Sequence, residues 1–183
     1  MRVFTGLPLP AQAIEKLQKL TVELKERYPD LRVVKPQGMH ITMVFFGELD
    51  QDQVMEVMRI MDNSTLKIAT VQAVMSGIGQ FPPQGKPRVL YCPLRKGAPE
   101  VSSLYRSFTE LLLRNDSFAI EVTKDFTPHV TLARNREARI RLSDFEELFD
   151  FEYSFILDKL VLYQSLLKPQ GAEYRAMKTV TFG

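Results

Sequence analysis

The chain has 183 residues, 45% of them hydrophobic and 25% charged, which is the composition of a globular protein and excludes a disordered one. Its length suits one large domain or two small lobes. A net charge of +2 does not by itself indicate nucleic-acid binding. Without an apolar run of about 18 residues, a signal-peptide stretch or a second cysteine beside Cys92, we expect a cytoplasmic protein with no membrane partner.

The first half of the chain alternates predicted strands and helices. Apolar residues at spacings of three and four predict helices, and short apolar or β-branched runs predict strands. Met39–Phe46 is apolar on both faces, as expected of an interior strand. The predicted strands are Arg2–Leu7, Met39–Phe46 and Leu66–Met75, and the predicted helices are Pro10–Tyr28 and Leu49–Met61.

The second half repeats this plan after a proline-rich loop over Phe81–Pro87. The predicted strands are Arg88–Leu94, Thr127–Ala133, Phe151–Tyr163 and Tyr174–Phe182, with one helix over Val101–Arg114. The repetition predicts an α+β fold with two pseudo-symmetric lobes. We expect each lobe to be a mainly antiparallel sheet with helices on the outside, and residues 1–183 to form a single bilobal domain with a cleft between the lobes.

The two histidines of the chain occupy matching positions in a repeated motif. The first copy is His40-Ile41-Thr42-Met43, and the second, about half the chain later, is His129-Val130-Thr131-Leu132. Residues two apart in a strand share a face, so each histidine points the same way as its threonine. If a pseudo-two-fold axis relates the lobes, the two pairs face each other across the cleft.

Two imidazoles and two hydroxyls suit displacement at phosphorus. The attacking oxygen needs a base and the leaving oxygen needs an acid, and imidazole titrates near neutral pH, so one neutral and one protonated histidine can coexist. Threonine hydroxyls can donate hydrogen bonds to the phosphate oxygens, where charge develops. This set of groups requires no metal and no other cofactor.

Other chemistries fit the sequence less well. A zinc site needs a third or fourth ligand, and Cys92 lies on a separate predicted strand. A serine-based triad would use one histidine only, and the Gly-x-Ser-x-Gly motif is absent. Neither a P-loop nor a Gly-x-Gly-x-x-Gly motif is present for a nucleoside triphosphate or a dinucleotide.

The chain resembles the two-histidine phosphoesterase superfamily, whose members carry two His-x-Thr-x motifs on a bilobal α+β fold. Within it, the chain is most similar to the RNA 2′,3′-cyclic phosphodiesterases, also called 2′-5′ RNA ligases. Besides the motifs, the similarity includes the strand Met39–Glu48, the segment from Phe126 to Arg134, and Leu162-Tyr163-Gln164-Ser165. It extends over nearly the whole chain.

The resemblance implies hydrolysis of a terminal 2′,3′-cyclic phosphate on RNA to a 2′-phosphomonoester, without a cofactor. It implies that His40 is the general acid and His129 the general base, with Thr42 and Thr131 holding the phosphate. It also implies a reverse reaction that joins RNA ends through a 2′-5′ link. The expected partners are RNA with 2′,3′-cyclic phosphate ends or related nucleotides, and we expect a monomer.

Further binding residues are predicted with alternatives left open. Arg134 follows the second motif and would contact phosphate, although strict alternation turns it away from His129 unless the strand ends or bulges there. Tyr163 and Ser165 share a face of a late strand and would line the cleft. Phe45 and Phe46 would stack a base or pack in the core. Two other functions stay open: a non-catalytic module that binds nucleotides or RNA ends, and a phosphodiesterase for a small cyclic-phosphate metabolite.

Overall fold

The computed structural model describes residues 1–62, 69–136, 140–169 and 171–183. In this part of the chain the strands are β1 (Arg2–Pro8), β2 (Arg32–Val33), β3 (His40–Glu48), β4 (Val71–Ser76), β5 (Gly79–Phe81), β6 (Val89–Lys96), β7 (His129–Arg134), β8 (Glu152–Leu157), β9 (Lys159–Lys168) and β10 (Gly171–Thr181). The helices are α1 (Ala11–Arg27), α2 (Gln51–Met61) and α3 (Ala98–Leu113), with 3₁₀ turns over Pro36–Gly38 and Leu142–Asp150.

The strands form one antiparallel path in the order β10-β9-β1-β3-β7-β6-β4-β8. The first lobe is β10-β9-β1-β3 and the second lobe is β7-β6-β4-β8. The two motif strands, β3 and β7, meet at the centre, so a pseudo-two-fold axis passes between them. Each lobe takes strands from both halves of the chain, because β4 joins the second lobe while β9 and β10 return to the first. The predicted α+β, bilobal architecture is confirmed.

Most predicted elements are present within a few residues of their expected bounds. The prediction of a single strand over Phe151–Tyr163 is wrong, because the chain breaks at Asp158 into β8 and β9, which lie at opposite ends of the sheet. Both pieces are rich in apolar residues, so hydrophobicity alone does not mark the break. The predicted strand Leu66–Met75 corresponds to β4, which begins at Val71, and its first residues, 66–68, lie outside the described ranges.

The helices cover one face of the sheet and leave the other open. Helix α1 packs against β7 and β8, and α3 packs against β3, β4 and β6. Ile41 and Val130 are fully buried, whereas the histidines beside them are only partly buried. The histidine face is therefore the one that the helices leave open. None of the helices in the described ranges is long and apolar enough to cross a membrane.

Candidate active site

The two His-x-Thr motifs lie side by side at the middle of the sheet. Their central residues, Ile41 of β3 and Val130 of β7, pair in antiparallel register. Because the strands are antiparallel, this register brings His40 opposite Thr131 and Thr42 opposite His129. The charge on His129 contributes to lowering the pKa of His40, as expected of neighbouring rings. The structure thus brings the four predicted side chains together on one face.

A β-bulge follows the threonine in both motif strands. The pairing of β3 with β1 skips Met43, and the pairing of β7 with β6 skips Leu132. Because an extra residue reverses the in-and-out alternation beyond it, the third residue after each threonine returns to the histidine face. These residues are Phe45 in β3 and Arg134 in β7, and both are exposed while the two residues before each are buried.

The bulge in β7 determines which way Arg134 points. Strict alternation from His129 would turn Arg134 away from the site. Because Leu132 is unpaired, the alternation shifts by one residue and Arg134 lies on the histidine face. Burial lowers the pKa of His129, and the charge of Arg134 adds to that shift, so the guanidinium acts electrostatically on this imidazole. Its contact with phosphate stays a prediction.

His40 lies in a cluster of aromatic rings. Phe4 stacks on the imidazole with ring centroids 4.8 Å apart, Tyr174 meets it edge-on at 5.3 Å, and Tyr163 lies at 6.0 Å. The Nε2 atom of His40 is 3.0 Å from the Thr42 hydroxyl oxygen. The rings hold the imidazole in one orientation and shield it from water, while its Nε2 stays directed at the threonine.

His129 is held by a backbone hydrogen bond and two rings. Its Nδ1 is 2.7 Å from the carbonyl oxygen of Thr127. A carbonyl oxygen only accepts, so Nδ1 carries a proton and the Nε2 of the neutral ring is left free to accept one. Tyr91 and Phe81 lie 4.9 Å and 5.1 Å from the imidazole.

Both imidazoles favour the neutral form. Burial lowers the pKa of His40 to about 4, opposed by a backbone hydrogen bond at Gly38 and assisted by the charge of His129. Burial also lowers the pKa of His129, opposed by the hydrogen bond with Thr127 and assisted by the charge of Arg134. Protonation of either ring at neutral pH therefore needs a nearby negative charge.

Two glycines make room for the rings beside the histidines. A Cβ atom on Gly6 would lie 3.0 Å from the carbonyl oxygen of Ile41 and 3.1 Å from Cδ2 of His40. A Cβ atom on Gly79 would lie 2.5 Å from the Tyr91 ring. A side chain at Gly79 would displace the Tyr91 ring, because a contact of 2.5 Å is closer than carbon atoms tolerate. A side chain at Gly6 would require the His40 ring and the Ile41 carbonyl to shift slightly, because both contacts are tighter than a Cβ atom normally makes.

The remaining predicted residues differ in how close they come to the histidines. Tyr163 stacks on Phe4 at 5.1 Å, and burial raises the pKa of its phenol, which stays protonated at neutral pH. Ser165 pairs with Tyr174 across β9 and β10, and its hydroxyl makes no hydrogen bond within the described ranges. Of the two phenylalanines, Phe46 is buried against Phe118, and Phe45 is exposed on the histidine face.

Sequence reasoning predicted Tyr163 but missed the other rings that surround the histidines. Phe4 lies on β1 and Tyr91 lies on β6, the strands that pair with the two motif strands. Knowing which strands pair would therefore have indicated that these two rings lie near the histidines. Phe81, the first residue of the predicted loop, is the last residue of β5, and Tyr174 is separated from His40 by most of the chain. No periodicity connects these residues with the motifs.

A cavity of about 400 Å³ opens beside the second histidine. Its lining joins part of each motif to aromatic and acidic side chains from the segment that precedes β7. The lining residues are Thr42, Met43, Phe45, Phe81, Tyr105, Glu121, Thr123, Asp125, Phe126, Thr127 and His129.

The zinc alternative finds little support in the donor set. Cys92 is buried on β6, and burial raises the pKa of its thiol to about 12, which disfavours the thiolate that zinc requires. Among the described residues, no three histidine, cysteine, aspartate or glutamate side chains are grouped so that they could hold a metal ion.

Comparisons with known proteins point to one family. Residues 7–91 match the family model described as LigT like phosphoesterase. The chain is 26% identical to the RNA 2′,3′-cyclic phosphodiesterase of Methanocaldococcus jannaschii, over 97% of this chain and 99% of that protein. It is 27% identical to the enzyme of the same name from Thermus thermophilus, over 97% of this chain and 88% of that protein.

Solved structures share the fold. The crystal structure of a Thermus thermophilus protein, TT0787, superposes with a TM-score of 0.81 at 24% identity and covers all of this chain and 98% of that one. Escherichia coli LigT in complex with 3′-AMP superposes with a TM-score of 0.77 at 19% identity, covering 99% and 97% of the two chains.

Proposed function

We propose that the chain is an RNA 2′,3′-cyclic phosphodiesterase that converts a terminal 2′,3′-cyclic phosphate to a 2′-phosphomonoester, because residues 7–91 match the LigT-like phosphoesterase family model and enzymes of that name match nearly the full length of the chain. The observation that carries this proposal is the Ile41–Val130 pairing, which joins the two His-x-Thr motifs on one open face. Two imidazoles flanking one space are what in-line displacement at phosphorus requires.

The reaction uses His129 as base and His40 as acid. The Nε2 of His129 takes a proton from water as the water oxygen bonds to phosphorus. The bond from phosphorus to the 3′ oxygen then breaks, and His40 gives its proton to that oxygen. The phosphate remains on the 2′ oxygen, and both protons are accounted for. A 5′-hydroxyl that attacks the cyclic phosphate in place of water uses the same groups in the same roles: His129 takes the proton of the hydroxyl, and His40 gives its proton to the departing 3′ oxygen.

Substrate binding supplies the charge that His40 needs to become an acid. In the free protein burial holds the pKa of His40 at about 4, so the ring is neutral at pH 7. A cyclic phosphate carries one negative charge, and a negative charge beside a partly buried imidazole favours the protonated form. Proton uptake on binding therefore prepares the acid, and without bound phosphate the His40 imidazole stays neutral.

Hydroxyl and guanidinium groups stabilise the phosphate. The Thr42 hydroxyl, 3.0 Å from Nε2 of His40, and the hydroxyl of Thr131 can donate to the non-bridging oxygens. Arg134 lies on the same face beyond the bulge and adds a positive charge to the second motif. Tyr163 orients His40 through the ring cluster, and Ser165 lies further along the same strand face.

The test is to incubate the protein with a nucleoside 2′,3′-cyclic phosphate in EDTA and to identify the product by phosphorus NMR. We expect the 2′-phosphomonoester and no loss of rate in the chelator. Binding without turnover, or formation of the 3′-phosphomonoester, would contradict the proposal. The His129→Ala variant is the control for contaminating nuclease.

A second experiment tests whether the substrate is RNA or a mononucleotide. A short oligoribonucleotide with a cyclic phosphate end and the matching mononucleotide are compared by kcat/KM. We expect the oligoribonucleotide to be the better substrate. A higher kcat/KM for the mononucleotide would instead indicate a small cyclic-phosphate metabolite.

A further inference from the structure

The cavity beside His129 combines aromatic walls with uncompensated negative charge. Phe45, Phe81 and Phe126 contribute rings, and Glu121 and Asp125 contribute the carboxylates. Its lining contains no lysine or arginine. In the described part of the chain, neither carboxylate has an ion-pair partner within 4.0 Å or a side-chain hydrogen bond. The cavity therefore offers flat apolar surface together with free hydrogen-bond acceptors.

This combination suits a nucleobase and disfavours a second phosphate. A base has a π face that stacks on aromatic side chains, whereas a phosphate placed here would face two carboxylates without a cation. The cavity shares Thr42 and His129 with the catalytic face. A nucleoside whose cyclic phosphate lies between the two histidines thus has its base within reach of the cavity.

The two acids distinguish among the four bases. A carboxylate only accepts hydrogen bonds, so it favours a base edge with adjacent donors. Guanine presents its N1–H and its exocyclic amino group side by side. Adenine and cytosine each present one amino group beside a ring acceptor, and uracil presents one N–H between two carbonyl oxygens.

We propose that this cavity selects guanine as the terminal base, with Glu121 and Asp125 accepting the hydrogen bonds of its N1–H and amino groups and Phe45 stacking on its face. The inference rests on the proposed phosphodiesterase function and adds a specificity for the nucleotide that bears the cyclic phosphate. The two carboxylates are specificity-determining residues and take no part in the chemical step.

The first measurement is kcat/KM for the 2′,3′-cyclic phosphates of guanosine, adenosine, cytidine and uridine. Hydrogen bonds to a charged group are worth roughly 1.5–3 kcal/mol, so we expect guanosine to exceed uridine by about 10- to 100-fold, with adenosine and cytidine between them. Equal values for the four substrates, or a preference for uridine, would overturn the inference.

The second measurement uses charge-removing variants of the two acids. Glu121→Gln, Asp125→Asn and the double variant keep the side-chain shape and replace one acceptor oxygen by a donor. We expect the guanosine substrate to lose about tenfold in kcat/KM, mainly through KM, while the uridine substrate changes less than about twofold. The matched control is Glu110→Gln on the exposed side of α3, which removes the same charge outside the cavity and leaves the base preference unchanged.

The outcomes separate this inference from the proposed function. If none of the four cyclic nucleotides is hydrolysed, the phosphodiesterase function itself fails. If all four are hydrolysed and the double variant lowers every rate equally, the function stands and the guanine specificity is overturned. If Glu110→Gln shifts the preference as much as Glu121→Gln does, a general charge effect replaces the specific contact.

Discussion

The two halves of the site have matching backbones and different surroundings. His40 and His129 lie at the same place on pseudo-equivalent strands, and each strand bulges one residue after its threonine. His40 is nevertheless packed among Phe4, Tyr163 and Tyr174, whereas His129 has two rings beside it and the charge of Arg134 contributes to lowering its pKa, behind burial. Backbone symmetry places two similar groups, and the non-equivalent neighbours then give them different proton affinities.

The residues beyond the two bulges differ in the same way. Phe45 and Arg134 occupy equivalent positions, so one half of the site presents a ring and the other a guanidinium. A symmetric site would accept a nucleotide in either direction. Here the apolar side suits the base and the cationic side suits the phosphate, which orients the substrate.

The largest expected effect comes from removing either histidine. His40→Ala and His129→Ala should each lower kcat by about 10²- to 10⁴-fold, because general acid or base catalysis contributes that much. The measurement is steady-state hydrolysis of a nucleoside 2′,3′-cyclic phosphate. Full activity of His40→Ala would end the acid-base assignment for that residue.

The same variants also distinguish the two halves. An activated diester such as bis(p-nitrophenyl) phosphate has a leaving group that needs no proton, so it should restore much of the rate of His40→Ala and little of that of His129→Ala. Selective rescue of His129→Ala would reverse the roles of acid and base.

Removing the guanidinium of Arg134 should have the next largest effect on activity. Arg134→Gln is expected to lower kcat/KM by roughly 10- to 100-fold, the size of one charge-assisted hydrogen bond, and to weaken the salt dependence of KM. The matched control is Arg175→Gln on β10, which removes a surface charge elsewhere on the sheet. If both variants lose activity equally, Arg134 acts through overall charge and not through contact with phosphate.

A pH effect on stability should follow from the buried His40. Its pKa is about 4 in the folded protein and about 6.5 when unfolded, so between these values the unfolded chain binds more protons and the free energy of unfolding falls as pH falls. From pH 7 to pH 5 this group should account for about 2 kcal/mol, measured by urea unfolding followed by circular dichroism. The His40→Gln variant should lack this contribution to the pH dependence of the free energy of unfolding. If its free energy of unfolding changes with pH as steeply as that of the unsubstituted protein, the His40 ring is not shielded from water.

The smallest effect is expected at the aromatic counterpart of Arg134. Phe45→Leu should raise KM about tenfold with little change in kcat, because stacking on a base contributes roughly 1–3 kcal/mol. Arg2 lies over the Phe45 ring at 4.9 Å, so Arg2→Gln tests whether the effect passes through that contact. An unchanged KM in Phe45→Leu would show that Phe45 does not stack on the base of the substrate.

The proposed catalytic set was predictable because the placement of each histidine beside its threonine depends on local geometry. His40 with Thr42, and His129 with Thr131, share a face whatever the strands pair with, since the two-residue period of a strand is a property of its own backbone. The position of Arg134 was not predictable, because the bulge at Leu132 depends on how β7 pairs with β6. The break at Asp158 has a similar origin, since β8 and β9 find partners in opposite lobes.

The amino-acid sequence alone determined the repeated motif, the alternation of strands and helices and the absence of competing catalytic motifs, all of which depend on neighbours along the chain. Only the tertiary structure decided the pairing of Ile41 with Val130, the two bulges, the rings around each histidine and the acidic cavity. These features arise from contacts between residues far apart in sequence. Their geometry is set by how the strands pack together, and a linear pattern does not encode that packing.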